Sequence, residues 1–366
     1  MRVLVVTITH PPVDARIYHR QIGALVEAGH DVTYAAPFTA FGQSPPNLLR
    51  TVNLPRSSGN ILRRIPAILA AARLIRHERT RQDLILVHDP ELLAALALAQ
   101  PNPNRGPVLV WDVHEDVPAQ AAMLRLPSGI QLMISRILRG VELIAERRVR
   151  LLLAEAGYRD NFREGHPVVP NSVRVPPGDR MPAETTPRVI YVGALTWARG
   201  ARELITVAGQ IPEAKFEIIG NAPPDVAAAL TEAASASNID YRGFVPNDQA
   251  LTRLPGALVG LSLLHDQPNY AHSQPTKVME YMAHGLPTVT TPNPASAQLV
   301  RTTDAGIVVP FGDVPAMVEA IRQLMADLPE RDRLAANAHA AAREHDWNVD
   351  GPAFSALLEQ WVRGRD

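Results

Sequence analysis

Residues 176–193 read PPGDRMPAETTPRVIYVG, and the change of character after Pro187 decides the fold. Residues 176–187 are proline-rich, polar and without an apolar period, which marks a linker. Residues 188–193 are a short β-rich run ending in glycine. Downstream the same kind of run returns as KFEIIG (215–220), IDYRGF (239–244), LVGLSLL (258–264), LPTVTT (286–291) and AGIVVP (305–310), with helical segments between. Upstream it appears as RVLVVTI (2–8), DVTYAA (31–36), DLILVH (83–88), PVLVWDVH (107–114) and RLLLAE (150–155). Helical stretches fall near 17–28, 61–81, 89–99 and 129–148. Continuous apolar strands alternating with helices predict parallel sheets covered on both faces. The linker 176–187 therefore separates two α/β units, 1–175 and 188–349, with a last helix near 350–363 carrying Leu357, Leu358 and Trp361. In open parallel sheets ligands bind beyond the carboxyl ends of the strands, so the chemistry is to be sought just after each strand.

Composition sets the outer bounds. A chain of 366 residues exceeds what one core organises and suits two domains. It is 46% hydrophobic and 20% charged with a formal net charge of −1, which gives no reason to expect nucleic acid as a partner. The absence of cysteine excludes disulfides and thiolate metal sites and fits a reducing compartment. The opening MRVLVVTITHPP reads as a buried strand rather than a signal peptide, and no apolar run approaches the roughly 18–20 residues that span a bilayer. The expected location is cytoplasmic, with peripheral contact at the inner face of the membrane as one reading of ILRRIPAILAAARLIRHERTR (61–81). That segment is apolar on one side and arginine-rich on the other, which suits anionic lipid, but the preferred reading is a sheet-packing helix with a solvated basic face. Positive charge is almost all arginine; the lysines are Lys215 and Lys277.

Five stretches carry candidate chemistry. After the first strand, THPPVDARIYHRQIGAL lacks the Gly-x-Gly-x-x-Gly of a dinucleotide site. Asp14 and Arg16 there read as an N-cap acid and a surface arginine, or as ligand-binding residues. In VHDPELL (87–93), Asp89 before Pro90 reads as a helix N-cap, while His88 has no settled role. In WDVHEDVP (111–118), Asp112, His114, Glu115 and Asp116 crowd one strand end, and such groups are costly to bury without partners. Their spacing matches no standard zinc pattern, so no metal is expected and His114 reads as a substrate-binding or polarising group. In YVGALTWARG (191–200), Gly193 permits close backbone approach. Arg199 sits near a helix N-terminus, where a phosphate is the natural guest.

The fifth is QPTKVMEYMAHGLPTVT (274–290). Pro275 and Thr276 open a helix, and Lys277 in its first turn opposes the helix dipole unless an anion lies between them. A diphosphate held by first-turn amides and the lysine ammonium resolves that conflict, and Glu280 one turn on could hold a ribose diol. The plain alternative is an intrahelical Lys–Glu pair worth about 0.2–0.5 kcal/mol, against which stands the scarcity of lysine.

In this order the motifs HPPVDARIYHRQIGALVEAGHDV, HDPELL, WDVHEDVP, YVGALTWARG, TKVMEYMAHGLPTV and EHDWNV resemble the retaining glycosyltransferases of the GT-B fold, the family 4-like, "group 1" enzymes. The resemblance implies two Rossmann-like parallel-sheet domains facing across a cleft. It makes 1–175 the acceptor side, joined by a C-terminal crossing helix at 350–366, and 188–349 the nucleotide-sugar side. It implies that Arg199 and Lys277 neutralise the diphosphate and Glu280 binds the ribose. Gly193 and Thr276 would approach the phosphates, Gly243, Phe244 and Val245 would lie beside the base, and His114 would contact the donor sugar. Asp14, Arg16, His88 and Glu115 are acceptor-side candidates. The implied chemistry is a metal-independent front-face transfer with no cofactor besides the nucleotide-sugar donor, to a small-molecule, lipid-linked or glycan acceptor. Two positions depart from the family pattern: His272 stands where the first of a glutamate pair is usual, and Ala194 where an arginine is. An inverting transferase or epimerase-like enzyme using His10, His19 or His114 as base, and a non-catalytic sugar-nucleotide-binding protein, stay open as alternatives.

Overall fold

The computed structural model describes residues 1–100, 102, 105–114, 128–178, 180–267, 270 and 276–364. These form two six-stranded sheets. The first contains β1 (Arg2–Val6), β2 (Asp31–Ala36), β3 (Arg50–Asn53), β4 (Leu84–Val87), β5 (Val108–Val113) and β6 (Arg150–Leu153). The second contains β7 (Arg188–Val192), β8 (Lys215–Ile219), β9 (Ile239–Tyr241), β10 (Val259–Ser262), β11 (Thr288–Thr290) and β12 (Gly306–Val308). Every strand pairing is parallel. The orders are β3-β2-β1-β4-β5-β6 and β12-β11-β10-β7-β8-β9, so both sheets have the doubly wound order that reverses next to the unit's first strand.

The predicted α/β class and parallel sheets are what forms. The sequence pattern misses only β3, whose RTVN carries no apolar run. It is an edge strand, held by pairing Thr51 with Tyr34 and Val52 with Ala35 on β2. Edge strands tolerate polar residues because one side has no neighbour.

Each sheet has its own core. In the first, Leu4, Ile85, Leu109 and Leu151 pack against Ala71 and Ile75 of the helix Ile61–Glu78 and Leu92 and Leu96 of the helix Leu92–Ala99. In the second, Val189, Phe216 and Val259 pack against Leu204, Val226 and Ile321. Each such side chain contributes on the order of 1.5–3 kcal/mol when fully buried.

Unit 1 is Met1–Asn171 with Val349–Asp366; unit 2 is Ser172–Asn348. Val173 and Val175 pack into unit 2, where Trp347 N–H donates to Val173 O (2.8 Å). The last helix, Trp347–Arg363, continues into unit 1, where His30 Nε2 lies 2.9 Å from Ser355 Oγ and 3.2 Å from Glu359 Oε1. Among the described residues no helix is long and apolar enough to cross a membrane.

Candidate functional site

In unit 2 the strand order reverses between β7 and β10, so the loops that follow those two strands part and leave room for a ligand. Tyr281 anchors the helix Thr276–Ala283 at this point. Its buried hydroxyl donates to Leu261 O (3.2 Å) and accepts from Val192 N–H (2.9 Å). Gly260 leaves the space its ring needs, since a Cβ there would stand 2.3 Å from the ring. Lys277, one turn before Tyr281 on the same helix face, is thereby carried over the end of β7. Its Nζ donates to Tyr191 Oη (2.7 Å) and would lie 3.7 Å from a Cβ on Gly193. Gly193 has φ 127°, and a Cβ on neighbouring Gly220 would meet Gly193 O at 1.9 Å. Both positions accept only glycine.

Arg199 arrives from the other loop. Trp197–Arg199 form a 3-10 turn, Gly200 follows with φ 87°, and the helix Ala201–Gln210 begins. Arg199 Nη1 donates to Ala194 O (3.3 Å), and its guanidinium carbon lies 5.8 Å from the Tyr270 ring centroid. Burial, and then the charge of Arg199, lower the Lys277 pKa to about 7, against the opposing influence of Glu280. Two cations thus share one strand end at a cost that an anion between them would reverse. Glu280 is buried on the same helix. Gly243 (φ 64°) accepts from Gly220 N–H (2.8 Å), and Phe244 beside it is 65% exposed. Val245 packs partly into the Tyr281 cluster.

In unit 1 the reversal falls between β1 and β4. Asp112, at the end of β5 and fully buried, accepts from Arg16 Nε (2.7 Å) and Nη2 (2.6 Å) and from Gln21 Nε2 (3.0 Å), with His88 Nδ1 at 3.2 Å. Burial works against its charge, but Arg16, with hydrogen bonds from His114 and His88, holds Asp112 well below the usual carboxylate range. Arg16 spends further donors on Asn171 Oδ1 (2.8 Å) and Val169 O (3.0 Å). Asp14 caps the segment that carries Arg16, accepting from Arg16 N–H (2.9 Å) and Ile17 N–H (3.0 Å). Burial lowers the His88 pKa despite Asp112, so His88 is a neutral ring. For His114 burial also opposes charge, but the bond and charge of Asp112 win and its pKa is raised. His114 Nδ1 lies 3.4 Å from Asp112 Oδ2, and its Nε2 lies 3.0 Å from His10 Nε2. One of those two rings must donate and the other accept. Donor atoms of His88, Asp112 and His114 lie within 4.8 Å of one another, but a metal there would have to displace a bidentate guanidinium.

The comparisons with known proteins bear on both ends. Residues 186–327 match the family model "Glycosyl transferases group 1", and residues 15–178 match "Glycosyltransferase Family 4". The chain belongs to this family of glycosyltransferases. It is similar to the alpha-D-kanosaminyltransferase of Streptomyces kanamyceticus, 25% identical over 239 residues, which is 63% of this chain and 58% of that protein. The match thus spans little more than half of that relative's length. Among solved structures it resembles sucrose-phosphate synthase from Thermosynechococcus elongatus (TM-score 0.71, 15% identity, 99% of each chain covered). It also resembles Anabaena HepE in complex with UDP-glucose (TM-score 0.67, 16% identity, covering 98% of this chain and 100% of that one). The fold is that of the GT-B glycosyltransferases.

In this family member the structure brings Gly193, Arg199 and Lys277 together, places Thr276 as the first residue and Glu280 one turn on in the same helix, and joins Gly243 to them through Gly220. It brings Arg16, His88 and His114 together around Asp112, with Asp14 as a cap. Arg16 is 6% exposed, so the surface-arginine reading is set aside. Glu115, Asp116 and His272 lie outside the described residues.

One further reading is corrected. Asp89 is not a helix cap: its buried carboxylate reaches sideways to the loop after β1, accepting from Thr7 Oγ1 (3.0 Å), Ile8 N–H (2.6 Å) and Thr9 Oγ1. His10 Nε2 lies 3.4 Å from it. Sequence pattern does not single out Tyr191, Tyr281 or Asp89 as site residues. A hydroxyl-bearing ring at the end of RVIYVG is the available signal for Tyr191.

Proposed function

We propose that the chain transfers a glycosyl group from a nucleoside-diphosphate sugar to an acceptor hydroxyl with retention, without a metal ion, in the cytoplasm. The observation that carries this reading is the pairing of Lys277 with Arg199 at the β7/β10 reversal, above a backbone kept bare by Gly193 and Gly220. HepE, with UDP-glucose bound, has the same fold, and the kanosaminyltransferase supplies a relative that transfers a sugar. In this reading residues 188–349 bind the donor and residues 1–175 the acceptor.

The chemistry follows from charge. As the bond between the sugar's anomeric carbon and the diphosphate oxygen breaks, positive charge builds on the sugar and negative charge on the departing oxygen. Arg199, Lys277 and the amides at the start of helix Thr276–Ala283 stabilise that oxygen as charge develops. The acceptor oxygen bonds to the anomeric carbon from the face the diphosphate leaves, and its proton passes to the departing phosphate. No protein nucleophile is required. Glu280 holds the ribose, and exposed Phe244 stacks on the base. His114, anchored by Asp112 and His10, hydrogen-bonds the donor sugar, and Asp14, Arg16 and His88 shape the acceptor side. An inverting reaction needs a free base, whereas His114 is drawn toward its charged form by Asp112 and its Nε2 already meets His10.

A thermal-shift panel of UDP, GDP, dTDP and ADP sugars identifies the donor, since a ligand that binds only the native state raises its stability. With that donor, Lys277→Ala is expected to lower kcat/KM by about 10²–10³-fold while the fold holds, and NMR of the product to show retained configuration. Near-normal transfer by Lys277→Ala would reject the site, and an inverted product would reject the front-face step.

A further inference from the structure

The amino ends of β5 and β6, away from the ends that carry Asp112 and His114, open onto two adjoining cavities in unit 1. The first, about 230 Å³, lies between the helices Leu92–Ala99 and Ser128–Ala145 and is almost wholly apolar, lined by Leu93, Leu96, Leu109, Val141, Ile144 and Val149 among others. The second, about 940 Å³, is a polar cleft rimmed by Arg147, Arg148, Arg150 and Arg159, with Leu357 and Trp361 of the last helix as its apolar wall. Leu109, Arg148 and Val149 line both, so the two adjoin along these residues.

The charge of the cleft is unbalanced. Its carboxylates are Glu146 and Glu164 against Arg147, Arg150 and Arg159. Glu146 is already engaged: it accepts from the backbone N–H groups of Arg163 (2.8 Å) and Glu164 (3.0 Å) and lies 3.0 Å from His166 Nε2. Arg150 lies over the Trp361 ring at 5.8 Å. Among the described residues Arg147 and Arg159 make no ion pair. The apolar pocket also continues outward. Met133, Ile137, Val141 and Ile144 recur at helical spacing along Ser128–Ala145 and are exposed, Ile137 by 58%. A contiguous exposed apolar stripe of this kind marks a binding surface more often than chance.

From this juxtaposition we infer that unit 1 carries a second ligand site for an anionic amphiphile, its phosphate or carboxylate head among Arg147, Arg150 and Arg159 and its hydrocarbon tail between the two helices. A purely polar anion would leave the apolar pocket empty, and a neutral apolar ligand would leave Arg147 and Arg159 without a counter-charge. An amphiphile satisfies both, with its head in the polar cleft and its tail in the adjoining apolar pocket. The same chemistry is presented by a free molecule and by the lipid of a bilayer. The site shares no residue with the proposed donor and acceptor ends.

The test uses the full chain with dodecyl phosphate below its micelle concentration, inorganic phosphate, and dodecyl maltoside, followed by calorimetry. One dodecyl phosphate is expected to bind per chain, at least ~10-fold more tightly than either other probe, as burying several methylenes requires. Ala97→Phe fills the apolar pocket from an exposed lining position and should reduce dodecyl phosphate to the affinity of inorganic phosphate. Arg147→Glu with Arg159→Glu should weaken it ~10-fold or more and remove its salt dependence. UDP binding, measured alongside, should be unchanged in both variants. Flotation with phosphatidylglycerol vesicles then separates the sources: binding lost in both variants assigns a bilayer lipid, and no flotation assigns a free amphiphile. Equal affinity for dodecyl maltoside, many molecules bound per chain, or unchanged affinity in Ala97→Phe would overturn the site.

Discussion

At the residue scale the decisive side chain is Lys277, and its scarcity and position make it legible in the sequence alone. What the sequence could not show is its electrostatic state, because that depends on burial and on Arg199, which come together only through the fold of β7 and its loop. The same limit explains Asp89. An aspartate before proline at a helix start looks locally like a cap, and the partners that give it another task, Thr7, Ile8 and Thr9, belong to a different strand's loop. Lys277 also yields a pH prediction. With its pKa near 7 in the free protein, the ammonium is largely neutral by pH 8, yet a bound diphosphate favours the charged form. Nucleotide binding must then take up a proton above pH 7, and affinity must fall as pH rises, by up to ~10-fold per unit until the raised pKa of the complex is passed. The terminal phosphate of UDP titrates near pH 6, so the decline above 7 belongs to the protein. Calorimetry of UDP binding from pH 6.5 to 9, in buffers of different ionisation enthalpy, reads the proton directly. Lys277→Arg keeps its charge and should flatten the profile. A flat profile for the unsubstituted chain would show that Lys277 does not meet the phosphates.

At the element scale, most strands are legible because buried parallel strands are continuous apolar runs, whereas β3 is defined by its partner rather than by its own residues. The first helix differs in a more instructive way. It is expected as an amphipathic α-helix over 17–28, but Ala15–Ile22 is a π-helix that tightens to an α-turn at Gly23–Glu27. In an α-helix Arg16 and Gln21 would point about 140° apart. The wider i→i+5 winding brings both to the single buried carboxylate of Asp112. A local widening that serves one distant acceptor leaves no periodic trace in the sequence. The glycine turns make a testable contrast at this scale. Gly42 has a positive φ with open space around it, whereas Gly220 and Gly200 have positive φ and no room. Gly42→Ala should cost about 1–2 kcal/mol for the left-handed backbone alone. Gly220→Ala and Gly200→Ala should each add about 1–3 kcal/mol of overpacking. Gly220→Ala should also weaken UDP binding by moving Gly193. Urea denaturation measures the first difference and calorimetry the second. Equal losses at Gly42 and Gly220 would show that the close approach of the Gly193 loop is not what fixes glycine there.

At the scale of the whole molecule the same doubly wound order is built twice, and each sheet places its polar residues where its order reverses. The two ends are nevertheless chemically unlike. Unit 2 gathers two cations over bare backbone, whereas unit 1 gathers carboxylates and imidazoles whose charges largely answer one another. A ligand with two negative phosphates therefore gains most in unit 2, and the asymmetry predicts where a nucleotide alone acts. UDP without a sugar should slow amide hydrogen exchange at Gly193–Ala201 and Thr276–Glu280, where local opening exposes the loops it bridges. It should leave the ends of β1, β4 and β5 unchanged, because Arg16 and His114 there are already answered by the buried carboxylate of Asp112. Lys277→Ala should abolish the first effect and leave the second null. Exchange measured by mass spectrometry with saturating UDP distinguishes the cases. Protection at the unit 1 strand ends, with none at Gly193–Ala201, would reverse the assignment of the two units and with it the roles given to Arg199 and Lys277.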